Sequence, residues 1–293
     1  RICMHIPEPV QKIMDRLEHR GFHAWLAGGC VRDSLMGKEP HDYDIATQAR
    51  PEQVMELFDR VIPTGLAHGT VTVMEDGMPV EVTTLRKEGR YKDHRHPDNV
   101  EFVSEIEEDL ARRDFTINAM AWNPKTGLTD PFGGQEDLKK GIIRAVGNPA
   151  ERFDEDALRM MRAYRFAGRL GFQIEEGTRQ AIDEKAGLLK TVSAERVRDE
   201  IQQILKDSPE ILDQMTVLLK DWLPELKAML DCEQNNKHHY TDVLHHTLDA
   251  LKASKSKDLE VLWALLLHDT GKPSMKTTDE SGDHFKKHAM ESA

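Results

Sequence analysis

The apolar positions along the first half of the chain change period several times, and each change marks an element. Val10, Ile13, Met14 and Leu17 recur at helical spacing, so residues 8–20 are expected to form an amphipathic helix that Gly21 ends. FHAWLAG reads as a short buried strand. VRDSLMG resembles the first turns of a helix closed by Gly37, and HDYDIAT alternates polar and apolar as a strand does. PEQVMELF places proline where a helix start tolerates it. GTVTVMEDGMPVEVTTLR is two alternating runs about a Glu-Asp-Gly turn, the pattern of a hairpin.

The pattern then breaks over KEGRYKDHRHPD, a charged loop. VEFV is a further strand, and EEDLARRDFTINAMAWN reads as helix-like until Asn123-Pro124. After GNPAERF the character changes. Residues 154–232 carry almost only helical periodicity, and a third, histidine-rich helical segment starts near Asn235. The expected class is therefore α+β. A mixed sheet with helices occupies residues 1–148, a helical part 149–232, and a second helical part 233–293.

Composition adds limits rather than detail. A chain of 293 residues with 39% hydrophobic content can bury a sizeable core in about two domains. No run of eighteen apolar residues marks a membrane span, and no signal segment opens the chain, so no membrane partner is expected. Cys3, Cys30 and Cys232 are far apart and odd in number, which suits neither a disulfide framework nor a CxxC metal pair; a reducing cytoplasm is the natural setting. A net charge of −12 argues against a uniformly basic nucleic-acid binder, while leaving room for local basic surfaces. The chain opens on Arg1 and stops at Ala293 inside a helical-looking segment, so a longer polypeptide is expected.

The chemistry concentrates in AGGCVRDSLMGKEPHDYDIAT, residues 27–47. Asp42 and Asp44, two apart on an expected strand, point to one face and repel unless a cation sits between them. Mg²⁺ suits such a pair, because it takes a few carboxylates and completes its shell with water and phosphate oxygens. Glu81, in VEVTT, is placed to bring a third carboxylate from a neighbouring strand. Gly28 and Gly29 let a backbone approach a ligand, and Arg32 lies near a helix start whose N–H groups favour phosphate. Alone, a DxD or a Gly-Gly is commonplace on hairpins and turns; the joint spacing carries the reading. Together the parts describe a nucleoside triphosphate held on Mg²⁺ for in-line attack.

That window resembles the signature of the polymerase-beta-type nucleotidyltransferases. More narrowly it is similar to the class II tRNA nucleotidyltransferases, the CCA-adding enzymes, and their bacterial poly(A) polymerase relatives. EEDLARRDFTINAM (107–120) and EDALRMMRAYRF (155–166) supply two further family motifs in family order. The resemblance implies a polymerase-beta-type head, then an all-helical neck and body that hold tRNA. It implies that Asp42 and Asp44 bind two Mg²⁺ ions and that Gly29 and Arg32 contact the triphosphate. It gives Arg113 to the nucleotide and Asp114 to its sugar. Asp156 and Arg159 would read the edge of the incoming base, with Arg162 and Arg165 as further nucleotide contacts. The residues agree: Arg159, Arg162, Arg165 and Arg169 fall on about a third of one helix circumference. A fixed Asp and Arg offer an acceptor and a planar donor fork, which can read C or A without a template. The plain alternative is a solvated basic face with an Asp–Arg pair.

The implied reaction adds C and A to the 3′ end of tRNA from CTP and ATP, releasing pyrophosphate. LRKEGRYKDHRHPD matches the loop that CC-only members of the family shorten; here it looks full length, so terminal A addition is expected. Addition of A alone, poly(A) polymerase activity and an idle tRNA-binding module remain alternatives. Glu195 and Arg196, in VSAERVRDEIQQIL, read as a structural pair. Near the end, HHTLDAL and LWALLLHDTGKP resemble the HD phosphohydrolases. His246, His268 and Asp269 are candidate ligands for a second divalent metal there. A buried, satisfied histidine is the ordinary alternative for His246.

Overall fold

The helix at Glu8–His19 (α1) buries Val10, Ile13, Met14 and Leu17, the four residues its periodicity singles out. Each such burial contributes about 1.5–3 kcal/mol relative to exposure. In this computed structural model, residues 3–88, 100–224, 243–254, 256, 258–279 and 282–285 are described. The chain divides into two compact units, Arg1–Glu155 and Asp156–Ala293.

The first unit is built on a seven-stranded mixed sheet. Its strands are β1 (Ala24–Ala27), β2 (Asp44–Thr47), β3 (Val61–Gly65), β4 (Thr70–Glu75), β5 (Met78–Thr84), and a later pair. Between β5 and that pair lie two short strands, β6 (Arg86–Glu88) and β7 (Val100–Phe102), which pair with each other. The later pair is β8 (Ala121–Asn123) and β9 (Gly127–Thr129). The order across the sheet is β3-β4-β5-β2-β1-β8-β9. Neighbours run antiparallel except β2 and β5, which are parallel with Asp44 opposite Glu81. Strands β4 and β5 meet through the expected turn, with Asp76 and Gly77 both at positive φ.

Alternation along the strands divides the core. Leu26, Ile45, Val71, Val82 and Trp122 face one side with α1, where most of the bulky apolar side chains gather. Ala27, Ala46 and Ala121 face the other, with Leu85, Leu110 and Val146. Small residues at the sheet centre leave that second face shallow. Asp44 has the same parity as Ala46, and Glu81 stands opposite it. A one-residue slip of β2 would drive Asp44 into the bulky core instead, so burial pins the register.

Three expectations change here. The strand expected over HDYDIAT begins only at Asp44, and Asp42 sits in the preceding bend. The reason is pairing: β5 offers its first partner at Asp44 and β1 at Ile45, so no ladder reaches Asp42. EEDLARRDFTINAMAWN is not one helix. It is α4 (Ile106–Ala111 in the chain, after α2 at Gly29–Leu35 and α3 at Pro51–Leu57), a 3-10 turn at Thr116–Asn118, and then β8. The Asp114 carboxylate accepts the Phe115 N–H at 2.7 Å, taking the backbone out of the helix, and Ala121–Asn123 is buried throughout as a sheet interior requires. Strand β3 was not expected, because as an edge strand it is mostly exposed and contains Pro63. Helix α5 (Gly134–Lys140) completes the layer; a Cβ at Gly134 would overlap the Thr116 carbonyl oxygen.

The second unit is mainly helical. Following α6 (Pro149–Glu155), which ends the first unit, come α7 (Leu158–Leu170), α8 (Glu176–Lys185) and α9 (Ala194–Asp207). Ser193 caps α9 and Glu175 caps α8 through their side-chain oxygens. A Cβ at Gly168 on α7 would clash with Ser208, so these segments approach at glycine contact. Helices α10 (Val243–Ala253) and α11 (Leu259–Leu267) follow. The C-terminal part, expected to be helical, also carries a hairpin, Lys276–Asp279 with Gly282–Phe285. The β-branched Thr277 and Thr278 favour the extended form there. Residues 89–99 of the charged loop, and Cys232, lie outside the described residues. Among the described residues, no helix is long and apolar enough to cross a membrane.

Candidate active site

The Gly28 turn between β1 and α2 has φ +79°, a conformation that suits glycine. A Cβ there would lie 3.0 Å from Arg113 Nη1, so the turn and the guanidinium are in close approach. Arg113 Nη2 donates to Asp109 at 3.2 Å. Its buried Nε has no hydrogen-bond partner among the described residues. A buried guanidinium N–H without an acceptor is costly, and a phosphate oxygen is a natural acceptor. Arg32, 4% exposed, lies on the first turn of α2 and donates to Asn118 Oδ1 at 2.6 Å and to Asp33 Oδ1 at 3.0 Å. Asn118 Nδ2 in turn donates to Asp114 Oδ1 at 3.2 Å. One network therefore joins the glycine motif to the RRD motif.

Asp44 is in electrostatic reach of Arg113. Burial, followed by the charge of Glu81, raises its carboxyl to about 6, with Asp42 adding in the same direction and Arg113 opposing. Two acids on paired strands and a third two residues upstream make a site in which a divalent cation relieves repulsion. That is the fit expected of a Mg²⁺ site, and the donor set is all oxygen. Asp42 is exposed, so this carboxylate comes from a bend rather than from the strand face. Cys30 lies nearby, but burial pushes its thiol up to about 11, which leaves it protonated and not nucleophilic.

In the second unit, Asp156 precedes α7 and accepts the Leu158 N–H at 3.1 Å. Its other oxygen receives Arg196 Nη2 at 2.9 Å. Arg196 therefore pairs with Asp156, correcting the expected Glu195–Arg196 pair; α9 turns Arg196 toward α7. Arg159 is buried at 7% exposure. Arg162 lies over the Phe166 ring at 5.2 Å. Arg165 also stacks on Phe166, and its Nε meets Glu200 at 2.6 Å, so it is engaged within the unit. Arg169, on the same face in sequence, is exposed.

His246, His268 and Asp269 bring ligand atoms within 4.8 Å of one another. His268 Nε2 is 2.9 Å and Lys272 Nζ 3.1 Å from Asp269 Oδ2. Burial pushes the Asp269 carboxyl up, but His268 and Lys272 more than reverse this and hold it at about 2. The hydrogen bond to Asp269 raises His268. The three residues fit a metal, though Lys272 occupies the same carboxylate. Residues missed by sequence reasoning are Asn118, Asp109 and Glu200, and the partner of Arg196 is Asp156. TIN, directly after RRDF, was visible as part of a motif, but its partner Arg32 is 86 residues away.

Two family models match the chain: "Poly A polymerase head domain" over residues 24–144, and "Probable RNA and SrmB- binding site of polymerase A" over residues 171–230. The CCA-adding enzyme of Limosilactobacillus fermentum is 50% identical over 198 residues, 68% of this chain and 50% of that protein. That of Lactiplantibacillus plantarum is 42% identical over 274 residues, 94% of this chain and 64% of that protein. The crystal structure of the Bacillus stearothermophilus CCA-adding enzyme in complex with CTP is 38% identical with a TM-score of 0.70, covering 92% of this chain and 65% of that one. The chain thus spans about half to two thirds of the length of these relatives. Motifs and likeness agree: the chain carries a poly(A) polymerase head domain over residues 24–144 with the matching RNA-binding region over 171–230, and it is similar over most of its length to the CCA-adding enzymes.

Proposed function

We propose that the protein adds C and A nucleotides to the 3′ end of tRNA, from CTP and ATP, with release of pyrophosphate. The observation that carries this is the acid cluster of Asp44, Glu81 and Asp42 in reach of Arg113, whose guanidinium lies against the Gly28 turn. The relatives named above as CCA-adding enzymes, one of them holding CTP, support the same reading.

Asp42 and Asp44 hold Mg²⁺, two ions during the reaction, and Glu81 braces Asp44. When bound, Mg²⁺ supplies a lower pKa for the attacking 3′-hydroxyl and neutral charge at the leaving oxygens. The N–H groups around Gly28 and Gly29, with Arg32 and Arg113, grip the triphosphate, and Asp114 meets the sugar. Asp156 and Arg159 read the base edge, with Arg162 and Arg165 supporting them. No protein nucleophile is needed. The functional division is a catalytic head over residues 1–148, a nucleotide-selecting and tRNA-holding part over 149–232, and an HD-like part over 233–293, where His246, His268 and Asp269 take a divalent metal. A cytoplasmic setting belongs to this reading, because tRNA is the substrate.

The direct test supplies tRNA lacking its 3′ CCA with CTP and ATP, singly and together, and sequences the product. CCA ends are expected when both are present. Products carrying only A, or a long A tract, would overturn it. Asp42→Ala with Asp44→Ala is expected to abolish incorporation; near wild-type activity would sink the metal assignment.

A further inference from the structure

Asp109 lies in the last turn of α4 with a side chain only 1% exposed, yet it is an acid. Its two oxygens collect three donors. Oδ1 accepts the Arg86 backbone N–H at 3.0 Å and Arg112 Nε at 3.2 Å; Oδ2 accepts Arg113 Nη2 at 3.2 Å. Arg86 belongs to β6, which pairs with β7 at Phe102 and so forms the stem of the segment between them. One buried carboxylate therefore ties that stem to the arginine lying against the Gly28 turn. A long arginine side chain has many rotamers, and a buried anion that takes one end of its guanidinium selects among them.

We propose that Asp109 is the positioning residue for Arg113, fixing its guanidinium against the Gly28 turn and thereby setting the affinity of the site for a nucleoside triphosphate. The second half of this inference rests on the nucleotidyltransferase reading above. Asp109 itself touches no reacting atom. It acts by presenting Arg113 with Nη2 already occupied and Nη1 held against the Gly28 turn. Partners that orient metal ligands change affinity about tenfold or more when they are lost, and a similar order is expected for an oriented arginine.

The test uses the full chain with Asp109→Asn, which keeps shape and an acceptor for Arg86 but loses the charge. Two readouts are taken: the side-chain Nε–H signal of Arg113 by NMR, and CTP affinity with its KM and kcat. The Arg113 signal is expected to be resolved and slow to exchange in the wild type, and averaged in the variant. KM for CTP rises about tenfold while kcat changes little, as loss of uniform binding requires. Asp137→Asn is the control. Asp137 is equally a buried acid, bonded to Thr116 Oγ1 at 2.6 Å and Arg144 Nε at 3.1 Å, but it does not hold Arg113. It is expected to lower thermal stability and leave both readouts unchanged. If Asp109→Asn fails to fold, Asp109→Glu keeps the charge on a longer arm and is expected to shift the Arg113 signal and weaken CTP binding. Wild-type readouts in the folded Asp109 variant, or equal losses in Asp137→Asn, overturn the proposal. Wild-type protein that does not bind CTP would instead overturn the nucleotidyltransferase reading, while the Arg113 signal still decides the positioning.

Discussion

Asp109 and Asp44 both feel the charge of Arg113, with opposite outcomes. Burial pushes Asp109 up, but Arg112 and Arg113 more than cancel it, so its pKa lies below the ordinary value of 3.8. A depressed folded-state pKa contributes stability that is present above the unfolded value and lost as pH falls through the folded one. The stability advantage of wild type over Asp109→Asn in urea unfolding is therefore expected to be full at neutral pH and to shrink below 3.8. Asp44 is shifted the other way, to about 6. Its carboxyl should titrate near 6 without divalent cation and well below that with Mg²⁺, read by carbon NMR of the carboxyl. An unmoved titration would remove Asp44 from the metal site. The Asp156–Arg196 pair is 21% and 41% exposed, so its contribution to stability is at most about 1 kcal/mol. Its proposed role is to orient Asp156. Arg196→Met is expected to leave the melting temperature nearly unchanged and to reduce discrimination between CTP and UTP, measured as the ratio of kcat/KM. The pair was not legible, because 40 residues separate its members and only the packing of α7 on α9 joins them.

Elements, by contrast, were legible wherever one face is apolar and the other wet. Helix α1, the β4–β5 hairpin and α9 all match the spacing of their buried residues. The failure at EEDLARRDFTINAMAWN has a definite cause. Its apolar residues fit a helix by period, but Asp114 accepts the next residue's backbone N–H and breaks it. Tertiary demand for an interior strand beside β1 then takes over. Helix α5 closes against this segment at glycine contact. Gly134→Ala is expected to cost about 1–3 kcal/mol by overpacking, read as a lower urea midpoint. Gly187→Ala, with no atom within 4 Å of the added carbon and no positive φ, should be close to neutral.

At the scale of the whole molecule, the candidate residues divide between the two units. Asp42, Asp44, Glu81, Gly29, Arg32, Arg113 and Asp114 lie in Arg1–Glu155; Asp156, Arg159, Arg162 and Arg165 lie in Asp156–Ala293. The first unit has its own sheet and two-sided core. Residues 1–155 expressed alone should give a cooperative unfolding transition and bind CTP, ATP and UTP with affinities within about threefold of one another, since triphosphate contacts carry no base information. Calorimetric titration checks both the binding and the lost preference. A strong preference for one base would mean that selection does not reside in the second unit.

The sequence by itself pointed to the proposed reaction class, named the acids and arginines proposed to carry it, and marked the elements whose burial is periodic. These depend on residue type and short spacing, which are written locally. Only the tertiary structure decided which groups meet. The parallel register of β2 and β5 sets Glu81 against Asp44. The fold of the RRD segment brings Asn118 to Arg32, and Asp109 to Arg113 and Arg86. Such pairings join residues up to 86 positions apart, and a buried charge accepts whichever partner the packed core delivers to it.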